Sequence, residues 1–140
     1  MPKVVKLPVR VDAERWSRSS KQSYSYVSPP RNYEDIHYEC WRCNTADVFT
    51  AAQQKAAFEV KQAYIWQRRI LCQACFSERR RLEQISRAQS KQWREAKNKV
   101  ARDRRFLEKW LNALEELPGY AARRNTANIA MLKKRLASLA

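Results

Sequence analysis

The sequence predicts a small α+β module containing all the cysteines, followed by a long basic helix and a shorter C-terminal helix. All four cysteines lie before residue 76, in two C-x-x-C pairs. From Leu82 to Leu117, apolar residues recur in steps of three and four, as on one face of a helix. Pro118-Gly119 interrupts this pattern, which then resumes. The second part of the chain is therefore expected to be mostly helical and to close as a helical hairpin.

The N-terminal residues 1–30 show no helical or strand periodicity. They include a Ser, Tyr and Gln-rich stretch over residues 17–27 and end in Pro29-Pro30. Such a composition buries little apolar surface, so we expect a tail that is disordered or ordered by a partner. The first seven residues lack the continuous apolar run of a secretory signal, and no run of 18 apolar residues is present. We therefore expect a cytoplasmic protein with no membrane association.

The predicted module spans residues 31–76 and is expected to hold one helix and a short strand. Thr50 is a good N-cap for a helix over residues 51–63. The aromatic and β-branched segment 64–66 predicts a strand. Downstream, a single amphipathic helix is predicted over residues 77–117 although Gln89 and Asp103 interrupt its apolar series, and a second helix over residues 120–140.

The cysteine spacing predicts a structural zinc site. Cys40 and Cys43 form one C-x-x-C pair, Cys72 and Cys75 form the other, and 28 residues separate the pairs. A tetrahedral zinc ion takes four thiolates at about 2.3 Å, and each pair delivers two of them from one tight turn. We therefore expect one Zn²⁺ per chain, bound in a closed site that shapes the fold without catalysing a reaction.

Other uses of the cysteines remain as alternatives. Two disulfides need an oxidising compartment, for which no export signal is found. A thioredoxin-like redox pair lacks its βαβ surroundings, and nothing in the sequence selects an iron–sulfur cluster. His37, three residues before Cys40, is an alternative ligand, but four cysteines already complete the tetrahedron.

The order of residues around the cysteines resembles a known family. Tyr33-x-Asp35 precedes the first pair, and Phe49-Thr50 with Gln53-Gln54 and Phe58 lies between the pairs. Over about residues 33–76 this pattern resembles the bacterial "probable zinc-ribbon domain" family. The resemblance implies a zinc-ribbon-like module with the four cysteines as ligands, and it implies no activity. The chain departs from the family's expected pattern at Gln53, where that pattern has an acidic residue before the glutamine, and before Cys72, where Arg69-Ile70-Leu71 stands in place of Pro-Lys-Arg.

The formal charge of +15 favours a polyanionic partner, and ten of the fifteen excess charges lie after Phe76. On a helix, the basic residues of the second part lie along one broad face that can follow a phosphate backbone. An aromatic residue beside an arginine in the first C-x-x-C turn can stack on a base. The candidate nucleic-acid contacts are Trp41, Arg42, Arg79, Arg80, Arg81, Arg87, Lys91, Arg94, Arg102, Arg105, Arg123, Arg124, Lys133 and Lys134.

Three functions follow, of which a non-enzymatic nucleic-acid-binding protein is the first. RNA, ribosomal RNA included, is favoured over DNA because no recognition-helix motif is present, and a DNA-binding accessory protein remains an alternative. The second is a protein-interaction adaptor that uses the long apolar face over residues 82–117. The third hypothesis is an enzyme, and it has the least support from the sequence. With one glycine and one histidine, Gly-rich phosphate loops and two-histidine metal hydrolases are excluded. The only candidate catalytic acids are Glu34, Asp35, Glu39 and Asp47, which lie near the cysteines, and no nucleophile–base pair accompanies them.

Overall fold

The computed structural model describes residues 7–139. Within this range the strands are β1 (Val9–Arg10), β2 (Asn32–Tyr33), β3 (Ile36–Glu39) and β4 (Ala46–Phe49). The α-helices are α1 (Arg18–Lys21), α2 (Tyr24–Val27), α3 (Ala51–Lys55), α4 (Gln73–Val100), α5 (Arg104–Glu116) and α6 (Thr126–Ser138). Short 3₁₀ segments cover Ala13–Arg15 and Leu117–Tyr120, and a π-helical turn covers Ala56–Val60.

The described chain divides into two compact units. Unit 1 comprises residues 7–39 and 45–70, and unit 2 comprises residues 40–44 and 71–139. In unit 1, β1 pairs antiparallel with β2, and β3 pairs antiparallel with β4. The apolar core of this unit is formed by Trp16, Tyr33, Phe49 and Phe58.

The N-terminal segment differs from the expected disordered tail, because residues 7–30 are part of unit 1. Trp16 is only 2% exposed, and its indole Nε1 donates a hydrogen bond to the Tyr33 hydroxyl at 2.9 Å. The buried Ser20 hydroxyl accepts a hydrogen bond from the Ile65 backbone N–H. One buried indole and a few paired polar groups hold a stretch whose average composition suggests disorder. Residues 1–6 of the predicted tail lie outside the described residues.

The predicted helix after Thr50 is confirmed, whereas the prediction of a strand over residues 64–66 is wrong. Thr50 and Gln53 form a reciprocal capping box at the start of α3. The helix continues as the π-helical turn to Val60, and Gln62 then takes a left-handed conformation (φ 55°). Residues 64–66 form a turn in place of a strand. The Trp66 indole donates a hydrogen bond to the Ser25 hydroxyl at 2.7 Å, which anchors this turn to a segment 41 residues earlier in the chain.

In unit 2, the single helix predicted over residues 77–117 is wrong. The chain reverses between α4 and α5, and α4 also contains a non-helical residue, Ala96 (φ −140°, ψ 40°). Asp103 caps α5 by accepting a hydrogen bond from the Phe106 N–H at 3.2 Å. The buried Gln89 donates to the Phe106 carbonyl, also at 3.2 Å. The two polar residues that interrupt the apolar pattern therefore fix the reversal.

This reversal buries the apolar face that the sequence leaves uncovered. Phe106 is 7% exposed and Trp110 is 1% exposed, and both belong to one core with Leu82 of α4. The long exposed apolar face over residues 82–117, on which the adaptor hypothesis depends, is therefore not formed in the described chain, because α4 and α5 cover each other.

The predicted last helix is present, but it begins at Thr126, six residues later than predicted. Ile129 and Leu132 of α6 pack into the same core as α5, which forms the expected helical hairpin. The helix stop at Pro118-Gly119 is confirmed as well, although the left-handed residue is Ala121 (φ 62°). Among residues 7–139, no helix is both long enough and apolar enough to cross a membrane.

Candidate metal centre

The first cysteine pair lies in the tight turn that follows β3. Cys40 is 1% exposed, and residues 41–43 form the turn. The Asn44 N–H donates a hydrogen bond to the Cys40 carbonyl at 2.9 Å, with Asn44 in the left-handed region (φ 60°). Asparagine tolerates this conformation better than most residues, so the sequence suits the turn. The turn brings Cys43 back toward Cys40.

The second pair lies at the start of α4. Cys72 is the N-cap residue, and Cys75 lies in the first turn, where the Phe76 N–H donates to the Cys72 carbonyl at 2.9 Å. Residues three positions apart at a helix start fall on one side, so both sulfurs point the same way. The positive end of the helix dipole also favours thiolates at this place.

The four sulfurs converge on one point. Each Sγ lies within 4.8 Å of the other three, and the Cys43 and Cys72 sulfurs are 3.6 Å apart. A tetrahedral zinc ion with Zn–S bonds of about 2.3 Å places its sulfurs about 3.8 Å apart. The geometry therefore fits one structural zinc ion held by Cys40, Cys43, Cys72 and Cys75, which confirms the predicted cofactor.

The cysteine thiols differ in acidity. Burial raises the pKa of Cys40, but hydrogen bonds from the backbone N–H groups of Cys43, Cys72 and Arg42 outweigh it and lower the pKa to about 6. Burial and hydrogen bonds among the sulfurs raise the pKa of Cys75 to about 12. The cluster therefore ionises at one thiol more readily than at the others, and a metal ion that binds all four sulfurs displaces the remaining protons.

The residues around the sulfurs tie the site to the helices of unit 2. Leu71 is buried with three of the cysteines, and Tyr120 packs against this cluster. The Arg42 guanidinium stacks on the Tyr120 ring, and Arg79 Nη1 donates to the Tyr120 carbonyl at 3.4 Å. Sequence reasoning missed Tyr120, because an aromatic residue 45 positions after Cys75 carries no local signal of proximity.

His37 and the nearby acids do not join the metal ligands in the described chain. His37 lies on β3 opposite Val48 and is exposed. Asp35 Oδ1 accepts a hydrogen bond from the Ala51 N–H at 2.7 Å, at the start of α3. The Asp47 carboxylate accepts one from the Tyr38 hydroxyl at 3.3 Å. These two carboxylates have structural partners in unit 1.

Several candidate nucleic-acid contacts already have partners within unit 2. Arg42 stacks on Tyr120. Four others form ion pairs, namely Arg79 and Arg87 with Glu83, Arg81 with Glu78, and Lys133 with Glu115. The remaining basic candidates are exposed and have no ion pair among residues 7–139; they are Arg80, Lys91, Arg94, Arg102, Arg105, Arg123, Arg124 and Lys134. Trp41, at the tip of the first turn, is 58% exposed.

The basic residues do not share the single helical face that the sequence suggests. Arg87, Lys91 and Arg94 lie on α4, whereas Arg102 lies in the reversal and Arg105 in the first turn of α5. The charge is nevertheless concentrated in one unit. Unit 2 holds 18 Lys and Arg against seven Asp and Glu, whereas the described part of unit 1 holds nine against seven. Unit 2, which contains the metal centre, therefore carries a net charge of +11.

Comparison with known families identifies the cysteine segment. Residues 34–84 match a family model described as "Probable treble clef domain". This match confirms the resemblance to a small four-cysteine zinc domain, and it continues from the cysteines into the first turns of α4. No curated protein and no solved structure is significantly similar to the chain.

Proposed function

We propose that this is a non-enzymatic, zinc-containing nucleic-acid-binding protein that contacts RNA through the basic residues of unit 2. The observation that carries the proposal is the concentration of charge: unit 2 has a net +11, and unit 1 is close to balanced. Each lysine or arginine that meets a phosphate releases a condensed counterion, and this release supplies most of the non-specific affinity for nucleic acid.

The distribution of ion pairs supports this proposal. The acids of unit 2 that form ion pairs are Glu78, Glu83, Glu108 and Glu115, and they engage only a minority of its 18 basic residues. Exposed basic residues without such partners lie on α4, in the reversal and before α6. Basic side chains that are not neutralised internally are the ones that gain most from phosphate contact.

The metal centre serves this function by fixing the surface. It joins the turn at residues 40–44 to the start of α4, and Tyr120 carries this connection to the segment between α5 and α6. A site filled by four thiolates leaves no open coordination position for a substrate, so we propose no catalysis. Thiolate ligands persist in a reducing compartment, which agrees with a cytoplasmic location.

RNA is the preferred polymer because the basic residues do not form one regular recognition element. They are spread over α4, the reversal and the segment before α6, so a partner with an irregular surface can meet more of them than a straight duplex can. A DNA partner and a protein partner are the outcomes that the experiment separates from this one.

The test is co-purification of the full chain from cells, with and without nuclease, followed by sequencing of the retained nucleic acid. The wild-type protein is expected to retain RNA. The variant K91A/R94A/R102A is expected to lose most of it. The control R31A/K61A/R68A removes three exposed positive charges from unit 1 and is expected to retain it. Retention of DNA alone would overturn the proposal. So would a protein that stays bound after nuclease treatment, if the untreated sample contains no RNA.

A further inference from the structure

Two aromatic rings beside the metal centre are exposed. Among the large hydrophobic residues described in unit 2, only Trp41 (58%) and Phe76 (45%) are exposed. Both follow a zinc ligand directly, Trp41 after Cys40 and Phe76 after Cys75. Every other large apolar side chain of the unit is at least half-buried, so these rings depart from the packing of the rest. Because the two preceding ligands belong to one sulfur cluster, both rings adjoin the metal centre, and exposed rings on a well-packed domain mark a binding surface.

The local backbone places both rings beside the zinc ligands. Trp41 lies at the tip of the turn that the Asn44 N–H closes onto the Cys40 carbonyl. Its neighbour Arg42 folds onto Tyr120, whereas Trp41 forms no ring contact among residues 7–139. Phe76 follows Cys75 in the first turns of α4, about 100° around the helix axis from it, and is exposed. Both rings are therefore next in sequence to ligands of one four-sulfur cluster, and both are exposed.

The residues near these rings include arginines, and one of them forms no ion pair with a carboxylate in the described chain. Arg80 is exposed, has no carboxylate partner in the described chain, and holds its guanidinium carbon 5.9 Å from the Phe76 ring centroid. Arg79 and Arg81, by contrast, are engaged by Glu83 and Glu78. An aromatic platform with an uncommitted arginine matches the chemistry of an unpaired nucleotide, which presents a flat base and a phosphate.

We propose that Trp41 and Phe76 stack on unpaired bases, and that Arg80 contacts the adjoining phosphate, so that the metal centre is a single-strand binding site. This inference rests on the proposed function and names the form of nucleic acid that the site takes. A base inside a duplex has its faces covered by its neighbours, whereas an unpaired base offers a face to a ring. The remaining basic residues of unit 2 contact phosphates of either form.

The test compares an unstructured 15-nucleotide oligouridine, the corresponding oligothymidine and a 15-base-pair RNA duplex by fluorescence anisotropy. The double variant W41A/F76A is expected to lose about tenfold or more in affinity for both single strands. Its affinity for the duplex is expected to stay within about twofold of wild type, and its log–log salt slope is expected to be unchanged, because neither ring neutralises a phosphate. The variant W41F/F76Y keeps both rings and is expected to restore single-strand affinity.

Two controls keep the result interpretable. Trp66→Ala removes an exposed indole from unit 1 and is expected to leave all affinities unchanged. Each variant must also retain one zinc per chain, which shows that the site is folded. Unchanged single-strand affinity in W41A/F76A, or an equal loss on the duplex, would overturn the inference and leave the proposed function standing. Failure of the wild-type protein to bind any of the three at low salt would overturn both.

Discussion

The guanidinium carbon of Arg42 lies 4.2 Å from the centroid of the Tyr120 ring. Arg42 belongs to the turn between the first two zinc ligands, and Tyr120 ends the 3₁₀ segment that follows α5. The ring also packs against the buried cluster of Leu71 and three ligand cysteines. The turn that carries two ligands is therefore held by a residue far along the chain.

Loss of the Tyr120 ring is expected to weaken zinc binding. In Tyr120→Ala, Arg42 loses its stacking partner and the ligand cluster loses a packed neighbour, so zinc affinity should fall about 10–100-fold, as for other supporting residues of metal sites. Competition with a chromophoric chelator measures this change. Tyr120→Phe keeps the ring and should bind zinc as wild type does. Equal affinity in the alanine variant would contradict the structural role given to this residue.

Removal of a ligand is expected to release the metal and unfold its surroundings. Cys72→Ser should reduce the zinc content from one ion per chain to well below one, because three thiolates no longer close the tetrahedron. Elemental analysis and near-UV circular dichroism measure metal content and tertiary packing. Ala74→Ser changes an exposed neighbour in the same helical turn and should keep both signals. A metal-free Cys72→Ser protein with native packing would show that zinc does not hold this part of the fold.

The cap of α5 is expected to contribute measurably to the stability of unit 2. Asp103→Ala removes the acceptor of the Phe106 N–H and should lower the free energy of unfolding by about 1 kcal/mol. Urea denaturation followed by far-UV circular dichroism measures the difference. Asparagine caps nearly as well as aspartate, so Asp103→Asn should lie close to wild type. An alanine variant as stable as the asparagine variant would indicate that the reversal does not depend on this cap.

Glu59 is expected to make the stability of unit 1 depend on pH. Burial raises the pKa of its carboxyl, but hydrogen bonds from Lys55, Tyr33 and the Asp12 N–H outweigh burial and lower the pKa. Because this pKa is lowered by folding, the Glu59 carboxylate stabilises unit 1 fully above the ordinary carboxyl pKa of about 4.3. The stabilisation is lost as the pH falls through the pKa that Glu59 has in the folded protein.

Urea denaturation of Glu59→Gln between pH 7 and pH 3 tests this linkage. The variant should be less stable than wild type by about 1–3 kcal/mol at pH 7, because Lys55 loses its charged partner. This difference should shrink toward pH 3, as wild type also loses the charge. Glu34→Gln changes an exposed acid of the same unit and should leave stability unchanged. A difference that stays constant with pH would contradict the role of the carboxylate charge.

The metal centre and the terminal hairpin could be predicted from the sequence because their signals are local. Each C-x-x-C pair needs only one turn of chain, and the Thr50 cap and the Pro118-Gly119 stop act on adjacent residues. The sequence marks the reversal at residues 101–103 only by two breaks in the apolar series, Gln89 and Asp103, and such breaks do not by themselves indicate a change of direction. Both residues bond to Phe106, and that meeting is visible only once the chain has folded back.

The order of the N-terminal segment could not be predicted for a related reason. Average composition describes Ser17–Val27 as polar, whereas its structure depends on single buried groups, such as Ser20 bonded to the Ile65 N–H 45 residues away. The charge of +15 likewise hides its placement. The sequence places ten of the fifteen excess charges after Phe76, and the division of the described chain into two units adds that the first cysteine pair, with Arg42, belongs to the same unit, whose net charge is +11.

The central claim is that the unit 2 surface binds nucleic acid through phosphate contacts, and the salt dependence of RNA affinity tests it most directly. For the wild-type chain and an unstructured RNA, log K should fall linearly with log salt, with a slope of about −4 or steeper for six or more contacts. The variant K91A/R94A/R102A should reduce this slope by about 2, and the unit 1 control R31A/K61A/R68A should not change it. No binding at low salt, a slope near zero, or equal effects of the two triple variants would contradict the claim.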